Sequence, residues 1–209
     1  MKYAFTGLIV LLFATSQAQV GTGVAVEQPT PASKWGWGVK GDLTFNNILG
    51  NGMGAGYVAG GELGGFVKLT TSKKWAFQGE LLGSLDITKR GNDFLTYYNT
   101  NGYAFSNESI KLFYVNVPLL VRYKLNDLFT LVAGPQVGFL VNDNENLLNY
   151  NQRAFKTYAV SGNVGGELTL NNVAFFLRYN QGITNINDVD NRYTWRAQHV
   201  ALGIAVGIK

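Results

Sequence analysis

The chain has no cysteine, one histidine, two methionines and four prolines among its 209 residues. Without cysteine it can form neither a disulfide nor a thiolate metal site, and a single histidine does not complete the usual zinc ligand sets. No metal or other cofactor is expected. Charge is also scarce. Asp, Glu, Lys and Arg make up 14% of the residues, against about 25% in an ordinary soluble domain. The 17 basic and 13 acidic residues are scattered rather than clustered, so the small basic excess leaves no nucleic-acid footprint and no nucleic-acid partner is expected. Beyond residue 18, no apolar run approaches the ~20 residues of a membrane helix. A chain this poor in charge, with no spanning helix, can still cross a bilayer as a closed sheet, in which every backbone N–H and C=O is paired.

What the chain does have is alternation. In Phe113 to Tyr123 one face reads Phe113, Val115, Val117, Leu119, Val121, Tyr123, and the other reads Tyr114, Asn116, Pro118, Leu120, Arg122. Successive strand side chains point to opposite faces, so one face is continuously apolar and the other mixed and polar. The pattern recurs eight times, over about 35–45, 57–69, 75–87, 113–123, 128–141, 155–170, 173–183 and 195–208. Pro135 falls inside the fifth run and predicts a bulge or local break there. The connections alternate too. Thr71 to Lys74, Asn126-Asp127 and Asn171-Asn172 read as tight turns, whereas 46–56, 88–109, 142–154 and 184–194 are long, polar and rich in Asn and Gly.

Short turns at one end and long loops at the other, with apolar and polar residues alternating along each strand, are how an outer-membrane barrel is written. The fold expected is all-β, an eight-stranded antiparallel up-and-down transmembrane β-barrel. Residues 1–18 read as a cleavable signal peptide: Lys2, the apolar run Ala4 to Ala14, and small residues at Ser16 and Ala18 before the cut. Residues 19–34 are expected to form a periplasmic leader and 35–209 the barrel domain. An even number of strands places both mature termini in the periplasm. Aromatic girdles are expected at Trp35, Trp37, Trp75, Tyr123 and Phe129 on the periplasmic side, and at Tyr57, Phe113, Tyr158 and Trp195 on the outside. A soluble lipocalin-like barrel would turn its apolar face inward. Here the face opposite the apolar one carries Lys40, Asp42, Glu62, Lys68, Glu80, Asp86, Arg122, Glu167 and Arg178, too much charge for a dry pocket.

Several segments carry a family likeness: Phe77-Gln-Gly-Glu-Leu-Leu-Gly-Ser-Leu85, Tyr114-Val-Asn-Val-Pro-Leu-Leu-Val-Arg-Tyr-Lys124, Gly134-Pro-Gln-Val-Gly-Phe-Leu140, Gly165-Gly-Glu-Leu168, and Phe176-Leu-Arg-Tyr-Asn-Gln-Gly-Ile-Thr-Asn-Ile186. In these the chain resembles the PorT-like outer-membrane β-barrel family of Bacteroidota, over about residue 35 to the end. The resemblance implies an eight-stranded outer-membrane barrel, and its founding member's association with a secretion system adds a component role of that kind. The chain departs from such barrels in ending Val206-Gly-Ile-Lys209 rather than in an aromatic residue.

An eight-stranded barrel is just wide enough for side chains to fill, and unpaired buried charge is costly. Lys40, Glu62, Glu80, Arg122, Glu167 and Arg178 are therefore expected to form a paired network that plugs the lumen, with a gated ion path as the alternative. His199 faces the lumen near the outer end of the last strand. A catalytic role would require a nucleophile and a carboxylate close by, such as Ser106, Ser109 or Asp188. The aromatic loop residues Phe94, Tyr97, Tyr98, Tyr103 and Phe105 are candidates for contact with a protein or glycan ligand; the bland alternative is that they pack over the barrel mouth. The reading is a non-enzymatic, monomeric outer-membrane barrel with a structural or interaction role through its loops or a periplasmic partner. A narrow transport channel or a rim enzyme would be the alternatives. Its other partner is the outer-membrane lipid itself.

Overall fold

The computed structural model describes residues 34–98, 109–143 and 153–208. The expected signal peptide and most of the leader lie outside them. Eight strands run β1 Lys34–Leu49, β2 Val58–Thr70, β3 Trp75–Lys89, β4 Ser109–Lys124, β5 Phe129–Asp143, β6 Tyr158–Leu170, β7 Val173–Gly182 and β8 Arg196–Ile208. One short helix, α1 Phe94–Tyr97, sits in the loop after β3. Each strand is antiparallel to the next, and β8 returns to β1 from Trp37↔Ile208 to Leu49↔Arg196, so the barrel is closed. Closure leaves no sheet edge, which an apolar surround requires.

The inside–outside pattern follows the predicted parity. Trp35, Trp37, Leu43, Leu63, Val67, Phe77, Leu81, Leu119, Leu177 and Leu202 are all exposed on the outer wall, Leu63 at 72%. Lys40, Thr44, Glu62, Glu80, Asn116, Gln136, Glu167 and Arg178 are buried on the inner wall. β1 continues past Phe45 to Leu49, and β4 begins at Ser109 rather than Phe113. At the start of β4 the alternation persists with its polarity reversed, Ile110 and Leu112 buried and Ser109 and Lys111 exposed; at the end of β1 it fades, for a physical reason. Asn46, Asn47 and Ile48 are all buried beneath loops, so consecutive residues no longer divide into two environments.

The tight turns are held by their own side chains. Ser72 Oγ accepts the Trp75 N–H at 3.0 Å, and Asn126 Oδ1 accepts those of Leu128 at 2.9 Å and Phe129 at 2.8 Å. Asn171 takes φ 55° in the two-residue link between β6 and β7, a conformation asparagine tolerates and tight hairpins need.

Of the two outcomes expected at Pro135, the structure shows the local break and not the bulge. The β4–β5 register is the same on both sides of it, from Pro118↔Gln136 to Val121↔Ala133. The shift lies instead between Phe113 and Tyr114, which pair with Asn142 and Leu140 and leave Val141 as the extra residue. A proline removes one N–H from the ladder without adding a residue. Pro135 and Pro118 each sit in a short gap in one ladder, β4–β5 and β3–β4 respectively.

Candidate functional site

The inward positions of β1, β3, β4, β6 and β7 converge on one ion network. Glu80 accepts Lys40 Nζ at 3.1 Å, Arg178 Nη1 and Nη2 at 2.8 Å each, and Gln78 Nε2 at 2.6 Å. Arg178 Nη2 continues to Glu167 at 3.1 Å, and Arg122 Nη1 donates to both Glu167 at 3.0 Å and Gln78 at 2.8 Å. The structure thus joins Lys40, Glu80, Arg122, Glu167 and Arg178 into a continuous chain of bonds across the lumen. Glu62 stands beside it, accepting Asn116 Nδ2 at 2.9 Å.

Sequence parity alone missed how the space for these groups arises. Gly165 pairs with Arg178 across β6–β7, and a Cβ at Gly165 would lie 2.8 Å from Arg178 Cγ. Gly203 likewise leaves room for Phe176, and Gly38 for Phe66. Large inward side chains lie across glycines on neighbouring strands. Phe176 then offers its ring to both cations, 4.1 Å from Lys40 Nζ and 4.9 Å from the Arg178 guanidinium carbon. Such contacts add to the ion pairs where water is excluded. The signal available in the sequence was the glycines at inward parity.

Nearer the loop end the lumen is richer in acid. Asp42 lies opposite Glu62 in the β1–β2 register, with Lys40 Nζ at 3.6 Å as its nearest cation. Its two carboxylate oxygens, together with Asp86 Oδ1, Asn46 Oδ1, Asn47 Oδ1 and Thr88 Oγ1, are buried without a hydrogen-bond donor. His199 is buried beside them, in register with Asn46 and Asn180. Ser109 and Asp188 are exposed, and the structure does not bring either to His199; Ser106 lies outside the described residues.

Above this sits a cap made from all four long loops. Ile48, Met53, Phe94, Tyr98, Ala154, Phe155, Ile186 and Trp195 form one buried cluster with Ile110, Leu112 and Tyr114 of β4. Trp195, expected in the outer girdle, is 0% exposed at the centre of this cap. Its ring is tilted against Phe155 at 5.4 Å and edge-on to Tyr98 at 5.5 Å, and its indole N–H donates to Asn51 O at 3.0 Å. It precedes β8 rather than lying on it, so strand parity does not govern it. Asn187 ties the cap together, donating to Tyr98 Oη at 3.2 Å and Tyr193 O at 2.8 Å. Burial raises the pKa of the Tyr98 phenol above its usual value. Of the candidate contact residues, Phe94 and Tyr98 are inside the cap and Tyr97 is half-buried, edge-on to Tyr193 at 5.2 Å. Tyr103 and Phe105 lie outside the described residues.

At the turn end, below the ion network, a cavity of about 300 Å³ is lined by Lys68, Gln78, Arg122, Glu167, Asn171 and Asn172 among others. A family model described as an outer membrane protein beta-barrel domain matches residues 16–188. The chain belongs to that family. It is an outer-membrane barrel, and its exposed apolar wall faces lipid. The family match stops short of β8, the strand that closes the barrel on β1.

No curated protein matches the chain in sequence. Among solved structures it is similar to Ail, the attachment invasion locus protein of Yersinia pestis, in complex with the heparin analogue sucrose octasulfate. Identity is 10%, coverage 84% of this chain and 99% of that one, and the TM-score 0.51. The Neisserial surface protein A matches at 12% identity, 81% and 96% coverage and TM-score 0.49. OprG of Pseudomonas aeruginosa matches at 10% identity, 84% and 97% coverage and TM-score 0.48. At such identities the Ail likeness speaks for the barrel fold alone.

Proposed function

We propose that this outer-membrane barrel is non-enzymatic and monomeric and works through its two end surfaces rather than through its lumen, with the long loops outside and both mature termini in the periplasm. The observation that carries the reading is the double closure of the lumen: the Lys40–Glu80–Arg178–Glu167–Arg122 chain across its middle and the aromatic cap over its loop end. A barrel filled in this way offers a rigid scaffold on which loops can present contacts. The orientation is supported by turn lengths, which are short in the periplasm and long outside in such barrels. A protein or glycan is the partner class for the loop end, and the Ail complex with a heparin analogue is in keeping with a glycan.

Planar bilayer recording of the refolded full chain tests the closed lumen, and large, steady conductance would overturn it. Epitope tags test the orientation: one within residues 99–108 is expected to be reached by antibody on intact cells, and one at Asn126-Asp127 is not. A narrow channel is the second reading, favoured by the 300 Å³ cavity at the turn end, and the same recording decides it. The narrower PorT-like membership carries a secretion-system role whose partner would meet the periplasmic turns. Crosslinking in intact cells, followed by identification of the attached proteins, tests that role.

A further inference from the structure

Among the described residues, seven buried side-chain atoms have no hydrogen-bond partner, and six of them are oxygens toward the loop end of the barrel. They are both oxygens of Asp42, Oδ1 of Asn46, Asn47 and Asp86, and Oγ1 of Thr88. Buried oxygens left in this way call for a donor or an ion. Residues two apart on a strand share a face, so Asn46 shares the inward face of Thr44 on β1, and Asp86 and Thr88 share that of Ser84 on β3. Gly60 lies opposite Thr44 on β2, and a Cβ there would lie 2.5 Å from Asn46 Nδ2. The missing side chain lets the Asn46 amide lie over β2. Its Nδ2 donates to Thr44 Oγ1 at 2.9 Å, so turning the amide over would break that bond, and the oxygen stays the free end.

A small cavity of about 20 Å³ is lined by Asn46, Asp86, Thr88, Tyr114 and His199 among others. It holds about one water-sized sphere, so the groups that line it face a common point. A second cavity of about 40 Å³ adjoins it, sharing Asp86, Tyr114 and His199 and adding Asn116, Ser161 and Asn180. Ile186 of the cap lines both, which places them directly beneath the packed rings. Charge here is unbalanced. Asp42, Glu62 and Asp86 are three carboxylates, and the one ion pair that any of them makes among the described residues is Asp42 with Lys40, at 3.6 Å. Lys40 is nearer to Glu80, at 3.1 Å. Carboxylates buried without a counterion are costly.

We infer that the loop end of the lumen holds one hard divalent cation of calcium's size, between the ion network and the cap. Asp86 is its anionic ligand, Asn46 and Thr88 give neutral oxygens, and water in the adjoining cavity completes the shell. Asp42 and Glu62 add attraction from the row below. Among the described residues no three of His, Cys, Asp and Glu gather as metal ligands, and all the free ligand atoms are oxygens. That donor set suits calcium, which accepts irregular shells of oxygen, better than softer transition metals or the strictly octahedral magnesium. With few charged ligands the dissociation constant should be about 0.1–1 mM.

The test is equilibrium dialysis of the purified full barrel against radioactive calcium, in an uncharged detergent and excess sodium chloride. One ion should bind per barrel, with magnesium competing at least about tenfold more weakly. D86N should weaken calcium binding at least about tenfold, while D127N at the turn end leaves it unchanged. Calcium at about ten times the dissociation constant should raise the wild-type urea midpoint by about 0.5 M over chelator. D86N should show no such rise, and in chelator its midpoint should equal or exceed that of wild type, because it lacks the uncompensated charge. An absence of saturable binding, equal competition by magnesium, a D86N loss below about threefold or an equal loss in D127N would each overturn the inference. So would a D86N barrel less stable than wild type in chelator, which would make Asp86 a structural group. A wild-type midpoint equal in calcium and chelator would overturn it too, because protons or a charged His199 would then balance the carboxylates. The wild-type measurements do not depend on how the variants fold.

Discussion

Glu80 is the residue on which the ion network converges, and Glu80→Gln is its sharpest probe. Gln keeps the length and one carbonyl oxygen but replaces an anion with an amide. In the wild type both carboxylate oxygens are used: Oε2 takes Lys40 and one Arg178 nitrogen, and Oε1 takes the other Arg178 nitrogen and Gln78. After the change Arg178 keeps Glu167 at 3.1 Å, and Lys40 keeps Asp42 at 3.6 Å. Removing one partner from a buried pair costs about 3–5 kcal/mol, because the other charge stays buried. The two surviving carboxylates put this case near ~3 kcal/mol. Urea unfolding of the barrel refolded in phosphatidylcholine vesicles, followed by tryptophan fluorescence, should show the midpoint falling by about 1–2 M at an m-value of about 2–3 kcal/mol/M. Arg122→Gln is the control. Its side chain is 12% exposed beside the turn-end cavity, and Glu167 retains Arg178, so its loss should be only about 1–2 kcal/mol. A Glu80→Gln loss below ~1 kcal/mol, or a larger loss for Arg122→Gln, would refute the view that Glu80 organises the network.

Leu63→Arg, on the lipid face in the middle of β2, should lower folding free energy by about 2–4 kcal/mol in vesicles; urea titration checks it, and a change under ~1 kcal/mol would put that wall outside the bilayer. Gly64→Ala should largely abolish folding, because its Cβ would lie 2.0 Å from Leu81 O. Gly162→Ala, with nothing within 4 Å of the new carbon, should fold normally, and the heat-dependent gel mobility of the two variants reads the difference.

What the sequence made legible was whatever a two-residue period governs. Strand number, order and inward charges came from that period, because each strand divides its residues between lipid and lumen along its whole length. Glu80 and Arg178 lie 98 positions apart, yet their meeting follows from inward parity and a lumen too narrow to keep opposite charges separate. The cap was legible only in part: packing over the barrel mouth was one of the two readings open for the loop aromatics, and Phe94 and Tyr98 take it, but the share of the other loops was not. Trp195 looked like a girdle residue because it adjoins a strand, but loop residues obey no period, and its burial depends on Phe94, Tyr98 and Phe155 arriving from other loops. The bulge at Val141 was hidden for a related reason. Pro135 announced a chemical defect, whereas an extra residue has no chemical mark and appears only when the β4–β5 register is compared above and below Phe113/Tyr114.

Two closures of different chemistry make a sharper prediction than either alone. The ion network fills the lumen with groups fixed by charge and hydrogen bonds, and the cap covers the loop end with packed rings. Among the described residues they share no hydrogen bond, so removing one should leave the other intact. Tyr98→Ala with Trp195→Ala deletes two fully buried rings, enough to loosen the cap, since each large-to-small change of this kind costs about 3–5 kcal/mol. Glu80→Ala with Arg178→Ala removes an anion and a cation together and opens space mid-barrel without leaving an unbalanced charge. In planar bilayers neither pair should conduct steadily, because a continuous water path is still interrupted once. The four changes combined should. If the cap variant alone conducts, ions pass the Lys40–Glu80–Arg178 layer, and that layer is then a selectivity element rather than a plug. If the combined variant stays silent while migrating as a folded barrel, the remaining side chains Phe66, Phe176, Leu82 and Leu120 close the lumen by packing alone, and the charged network serves to fix their positions.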